Sequence, residues 1–151
     1  MLLSQTQLLH SSVEIGSISE VRGNAQVLRD KAYGAELKFD IQQMDDVRTE
    51  TGRVAITFLD SSTVKLTEHS KLVIDEYIYD PDPSKSKMAL KFASGTARFI
   101  TGKFNNKNNI SIRTPTANIA IRGTDFTCTV DELGRSLVIL LPDENGISSG
   151  E

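Results

Sequence analysis

Cysteine occurs once in this chain, at Cys128, so no internal disulfide can staple the fold and the core has to be held by burial. Phe126 and Val130 share the alternation phase of Cys128, which marks the thiol as a small buried hydrophobe rather than a reactive group. Tryptophan is absent and tyrosine is confined to Tyr33, Tyr77 and Tyr79, too few to furnish a broad sugar-binding platform. Histidine occurs only as His10 and His69, and together with Cys128 these show no zinc-ligand spacing. The same scarcity leaves any serine, threonine or cysteine nucleophile without an obvious base. Neither a GxxxxGKS/T loop nor a GxGxxG turn is present, so nucleotide binding through those loops has no support. The acidic pairs Asp45-Asp46 and Asp80-Asp82 lack the ordered spacing of a calcium loop and read as exposed turn carboxylates. The expectation is a non-enzymatic protein with no metal and no cofactor.

No apolar run approaches the ~18 residues that a bilayer-spanning helix needs. In the opening stretch MLLSQTQLLHSSVEIGS, residues Ser4 to Gln7 separate the leucine pairs and no basic segment precedes them, so neither an export signal nor membrane insertion is expected. A single free cysteine fits a cytoplasmic setting.

What is present is alternation. Val54, Ile56 and Phe58 point one way while Arg53, Ala55 and Thr57 point the other, the period of a strand with one buried face. The pattern recurs at Ile18, Val21, Ala25 and Val27, at Val64 and Leu66, at Leu72 and Ile74, and at Met88, Leu90 and Phe92. It continues through Ala97 and Phe99, Ile110 and Ile112, Ile119 and Ile121, Phe126 to Val130, and Leu137, Ile139 and Leu141. No amphipathic helix of ordinary length interrupts these segments, so the fold class is all-β, made of many short strands. Their brevity favours a short β-solenoid-like or β-roll domain, with a compact β-sandwich as the alternative. The expected organisation is an N-terminal arm over residues 1–15 and one domain over 16–151, with no closing element after Leu141.

Charge is distributed unevenly. Between Pro83 and Thr124 there is no acidic residue, while Lys85, Lys87, Lys91, Arg98, Lys103, Lys107, Arg113 and Arg122 are basic. Alternation sets Lys87, Lys91, Arg113 and Arg122 opposite apolar neighbours, so a positive surface formed with Arg98 is expected to meet an acidic protein surface. Nucleic acid fits less well, because no recognition helix or aromatic platform accompanies the charge.

Three segments then stand out together. GSISEVRGNAQV opens the repeating pattern, DDVRTETGRVAITFLDSSTVKLTEHSKLVIDEY occupies its centre, and IRTPTANIAIRGTDFTCTV follows. In this order, with Thr114-Pro115, Ala117, Arg122-Gly123-Thr124 and Phe126 at matching places, the chain resembles the FecR domain family from Gly16 to about Leu141. The resemblance implies a β-rich module of the kind found in regulators that pass a signal from an outer-membrane transporter to an anti-sigma system. Similar modules in phage virion components imply a cytoplasmic or virion-associated alternative. Asp45-Asp46 and Asp60-Ser61-Ser62 stand where relatives have glycine-aspartate and aspartate-glycine-serine turns. Thr114, Pro115, Arg122, Gly123 and Thr124 are expected to serve the fold, with Arg122 also able to present a bidentate guanidinium.

The functional expectation is a structural or protein-binding module within a larger assembly, with sensory signal transfer as the alternative. Partners are expected to be other proteins or copies of the chain. Ser136 to Leu141 carries no charge, and alternation assigns Leu137, Ile139 and Leu141 to the core and Val138 and Leu140 to an outward docking face.

Overall fold

Side chains that are β-branched or aromatic at every second position bury one face of a pleated chain, and nearly every alternating segment becomes a strand. A computed structural model describes residues 13–80, 82, 86–101, 109–122 and 125–141, excluding the side chains of Asn109 and Arg122. Among these residues no segment is helical. The strands are β1 (Glu14–Arg22), β2 (Ala25–Leu28), β3 (Ala32–Gly34), β4 (Asp40–Gln42), β5 (Asp46–Thr49), β6 (Arg53–Phe58) and β7 (Thr63–Leu66). They continue as β8 (Lys71–Ile78), β9 (Lys87–Ile100), β10 (Asn109–Arg113), β11 (Asn118–Arg122), β12 (Phe126–Val130) and β13 (Ser136–Leu140). Of the expected arm, residues 1–12 lie outside the described residues, as do 142–151.

The strands run β3-β2-β5-β8-β9-β7-β6-β1-β4 in one sheet, with β10–β11 and β12–β13 branching from β9. The sheet curls into an open half-barrel, as an all-β fold should if its apolar face is to meet itself. Antiparallel pairing prevails, and β9 with β10 is the parallel exception. The stacked parallel coils of a solenoid are therefore not what the described strands form. Polar turns reverse the chain instead of advancing it by a coil.

β9 is the strand that belongs to both wings. Lys87 to Ser94 pairs with β8, while Gly95 to Phe99 pairs with β12 and Ala97 to Ile100 with β7. The exchange of partners happens at Gly95, whose φ is +100° and whose missing Cβ leaves room for the Ser70 side chain. Buried hydroxyls replace ladder bonds at this corner: Thr96 N donates to Ser70 Oγ at 3.2 Å, and Ser70 N donates to Thr49 Oγ1 at 2.9 Å. Thr49 Oγ1 in turn donates to Thr67 O at 2.6 Å. Polar backbone groups that the bend would orphan are thus satisfied without water.

Both wings feed one core. Val27, Val47, Leu72, Ile74, Leu90 and Phe92 from one wing meet Ile18, Ile56, Phe58, Val64, Leu66 and Phe99 from the other. Phe99 stacks on Phe126, and Phe58 on Tyr77, each at 5.1 Å between ring centroids. The odd spacing of Ile18 and Val21 is a bulge between Ile18 and Glu20 in the pairing of β1 with β6.

One side of the half-barrel is sewn shut. Arg29 donates from Nε to Asp45 Oδ1 and from Nη2 to Asp45 Oδ2, both at 2.7 Å, and also reaches Asp40 O at 3.0 Å. Its guanidinium lies over Tyr33 and Phe39, and Asp45 Oδ2 accepts Gln42 N at 2.8 Å. This bidentate fork joins the β2–β3 hairpin to β4. Asp45 is fully buried, which corrects its reading as an exposed turn carboxylate: a desolvated carboxylate is tolerated there because every bond it accepts is charge-assisted or from the backbone. Asp80 does keep the ordinary role, accepting Asp82 N at 2.8 Å.

The two glycine-type turns are solved differently from each other. Ser61 takes the left-handed conformation itself, at φ 72°, whereas at the earlier turn Met44 takes it at φ 73° and releases Asp45 for the ion pair.

Three outcomes follow for chemical denaturation. Gly95→Ala should lower stability by about 2–4 kcal/mol, because a Cβ meets both an unfavourable φ and Ser70. Asp45→Asn should cost about 2–3 kcal/mol, moderated by the partial exposure of Arg29. Ser61→Gly should raise stability by about 0.5–1 kcal/mol, since it removes left-handed strain at an exposed position.

Candidate interaction surface

The opposite side of the half-barrel ends at β11 and β13. Each has one neighbour among the described residues, β10 for β11 and β12 for β13, so each presents an unpaired edge there. What holds the two hairpins beside each other is the threonine-proline motif. Thr114 N donates to Ala117 O at 2.9 Å across Pro115, and the buried Thr114 hydroxyl accepts Ala117 N at 3.0 Å. Proline presets the backbone angle for such a turn. The Thr114 and Ser136 hydroxyls share a bond of 2.6 Å, and Thr116 Oγ1 donates to Gly134 O at 2.6 Å. Thr114 and Pro115 therefore build a clasp between the turn after β10 and the start of β13. Gly123 and Thr124, with the Arg122 side chain, lie outside the described residues. Beyond them Asp125 accepts both Thr101 N and Thr101 Oγ1 at 2.9 Å, tying the start of β12 to the end of β9.

The phase of β13 is the reverse of the sequence expectation. Val138 lies opposite Cys128 and Leu140 opposite Phe126, so both turn toward the core and pack against it. Leu137 and Ile139 face outward and are 59% and 51% exposed. The reason is the hairpin: pairing with β12, whose inward phase is set by Phe126, Cys128 and Val130, dictates which residues of β13 share that face. A strand apolar at nearly every position gives no internal contrast from which to read phase. Counting residues across the turn from Val130 to Ser136 would have supplied it. The apolar residues on the outer face are thus Leu137 and Ile139 rather than Val138 and Leu140. The core-facing Val138, Leu140 and Ile119 remain only partly buried, unlike the fully buried Val27, Ile56 and Ile74 on interior strands.

The basic residues are not gathered into one surface. Lys87, Lys91 and Arg113 lie on the first half of β9 and on β10, beyond the Gly95 corner from Arg98. Lys87 pairs with Glu76 at 3.1 Å and Lys91 with Asp75 at 3.8 Å, so acids from the flank return against part of the basic stretch. These pairs are largely solvated and contribute little to stability. On the other wing Arg98 stands in register with Lys65 and with Thr127, and both cations are exposed. Lys85, Lys103 and Lys107 lie outside the described residues.

The interior polar groups are committed to the fold. Tyr77 Oη donates to Asp60 Oδ1 at 2.9 Å, and Ser62 donates to the same oxygen from Oγ at 2.6 Å. Burial and the neighbouring Asp60 push the Tyr77 phenol well above its ordinary pKa, so it stays a donor. Burial likewise raises the Cys128 thiol, keeping it in the unreactive protonated form. Among the described residues no group of three or more histidine, cysteine, aspartate or glutamate side chains is placed to hold a metal ion.

A model of the family described as FecR protein matches residues 45–142, about two thirds of the chain. Comparisons with curated proteins and with solved structures found no match. The matched span begins at the buried Asp45 and takes in the Gly95 corner, the Thr114-Pro115 clasp and the open β13 edge. The opening segment that resembles the family lies before the span and forms most of β1 and β2, which pair with other strands and not with each other. By the extent of this match, the chain belongs to the FecR family.

Proposed function

We propose that the chain is a non-catalytic structural or protein-binding module that docks through the open side of its half-barrel. The observation that supports this most is the β13 edge, where Leu137 and Ile139 are exposed beside backbone groups without a partner strand among the described residues. A sheet edge of this kind is a ready template for another chain, and its apolar side chains add specificity. A larger assembly such as a phage particle, cytoplasmic or virion-associated, is the setting that suits such a module. The Lys65 and Arg98 pair adds a preference for an acidic protein surface, because two cations in register repel each other and gain from an anionic neighbour.

Sensory signal transfer is the second reading, and the family match favours it. The same edge would then receive a segment of a signalling partner. Among the described residues no helix is long and apolar enough to cross a membrane, which leaves both readings to be judged by binding.

Leu137→Lys combined with Ile139→Lys tests the docking surface, since both side chains are exposed and their replacement leaves the core intact. The thermal midpoint should be unchanged, while affinity for components captured from the native assembly falls by about tenfold or more. Capture at wild-type strength by the folded variant would overturn the proposal.

A further inference from the structure

Of the four strands that end the described sheet, β13 is the one built to accept another strand. β3 and β4 are three residues each, and Arg29, Lys31 and Asp40 place charge on or beside them. β11 carries Arg122. β13 has five residues without charge, and natural edges that are not meant to pair are usually short or charged.

The hairpin shows which backbone groups are available. Asp131 N donates to Arg135 O at 3.0 Å and Leu141 N donates to Asp125 O at 2.9 Å, so the odd-numbered residues of this strand point their backbone groups at β12. Alternation in an antiparallel ladder then turns the N–H and C=O groups of Ser136, Val138 and Leu140 to the open edge.

We infer that β13 pairs antiparallel with β13 of a second copy of this chain about a twofold axis at Val138, continuing the sheet across two molecules. This inference rests on the reading of the chain as a protein-binding module. A continuous sheet requires residues of the same face to meet, and overlap of the whole strand sets Ser136 against Leu140 of the other copy, and Val138 against its own counterpart. On the outer face Leu137 meets Ile139 of the other copy, and the reverse contact follows by symmetry, so the exposed apolar residues cover one another. The three outward amides each find a carbonyl. Charge does not oppose the approach: Thr129 and Thr127 flank Leu137 and Ile139 on β12, and Arg135 is held by Asp131 at 2.7 Å.

Sedimentation velocity of the full chain over a concentration series tests the pairing. The wild type should dimerise with increasing concentration. Leu137→Lys with Ile139→Lys places lysines opposite one another and should raise the dimer dissociation constant by about tenfold or more. Leu137→Lys with Ile139→Glu exposes the same positions but sets the introduced lysine against the introduced glutamate of the other copy at both outer pairs, and should restore dimerisation to within about threefold of wild type. A register shifted by two residues would set like charges together and leave this variant as impaired as the double lysine. A wild type that stays monomeric, a double-lysine variant that dimerises normally, or a lysine-glutamate variant that is not rescued overturns the inference. If the wild type is monomeric yet the double-lysine variant loses capture of an assembly component, self-pairing fails while the binding-module reading stands; unchanged capture as well removes both.

Discussion

The structure depends on a single change of partners along β9. A curled sheet can bury its apolar face only if its two wings turn toward each other, and the turn is made where Gly95 leaves the left-handed backbone open to it and the Ser70 side chain fills the space a Cβ would take. Everything that meets in the core, from Val27 and Ile74 on one wing to Ile56 and Phe99 on the other, is brought there by that corner. The hydroxyls of Ser70 and Thr49 supply the hydrogen bonds that a straight ladder would have made.

From this corner the two sides of the half-barrel part company. On one side Arg29 and Asp45 join the β2–β3 hairpin to β4 through a half-buried ion pair beside Tyr33 and Phe39. On the other, the Thr114-Pro115 clasp joins two hairpins at their turns and leaves the edges of β11 and β13 without partner strands among the described residues. The asymmetry is chemical as well as geometric. The closed side is joined by charge and backbone bonds, whereas on the open side the end strand β13 carries no charge and leaves Leu137 and Ile139 exposed.

Much of the core was legible in the sequence because alternation has contrast wherever polar residues separate apolar ones. Val54, Ile56 and Phe58 between arginine and threonine, or Leu90 and Phe92 beside Lys91, state their faces without reference to any neighbour. β13 lacks that contrast, and its phase came from Cys128 and Phe126 across the hairpin. The ion pair of Arg29 with Asp45 spans sixteen residues of irregular chain and leaves no periodic trace. The basic stretch looked continuous along the chain, but it crosses the corner, so adjacency in sequence separated Lys91 and Arg113 from Arg98 in space. Turn geometry was half legible: Ser61 occupies the left-handed position expected of the aspartate-glycine-serine turn, while Met44 rather than Asp45 occupies the other.

That β13 offers a free edge to another chain is the claim on which the functional account turns, and amide hydrogen exchange residue by residue measures it directly. In dilute solution the amides of Val138 and Leu140 should exchange fast while those of Leu137 and Ile139, directed at β12, are protected, and a bound strand should slow the first pair. Equal protection of all four amides at the lowest concentration, without any partner, would mean that the chain covers this edge itself and would contradict the account.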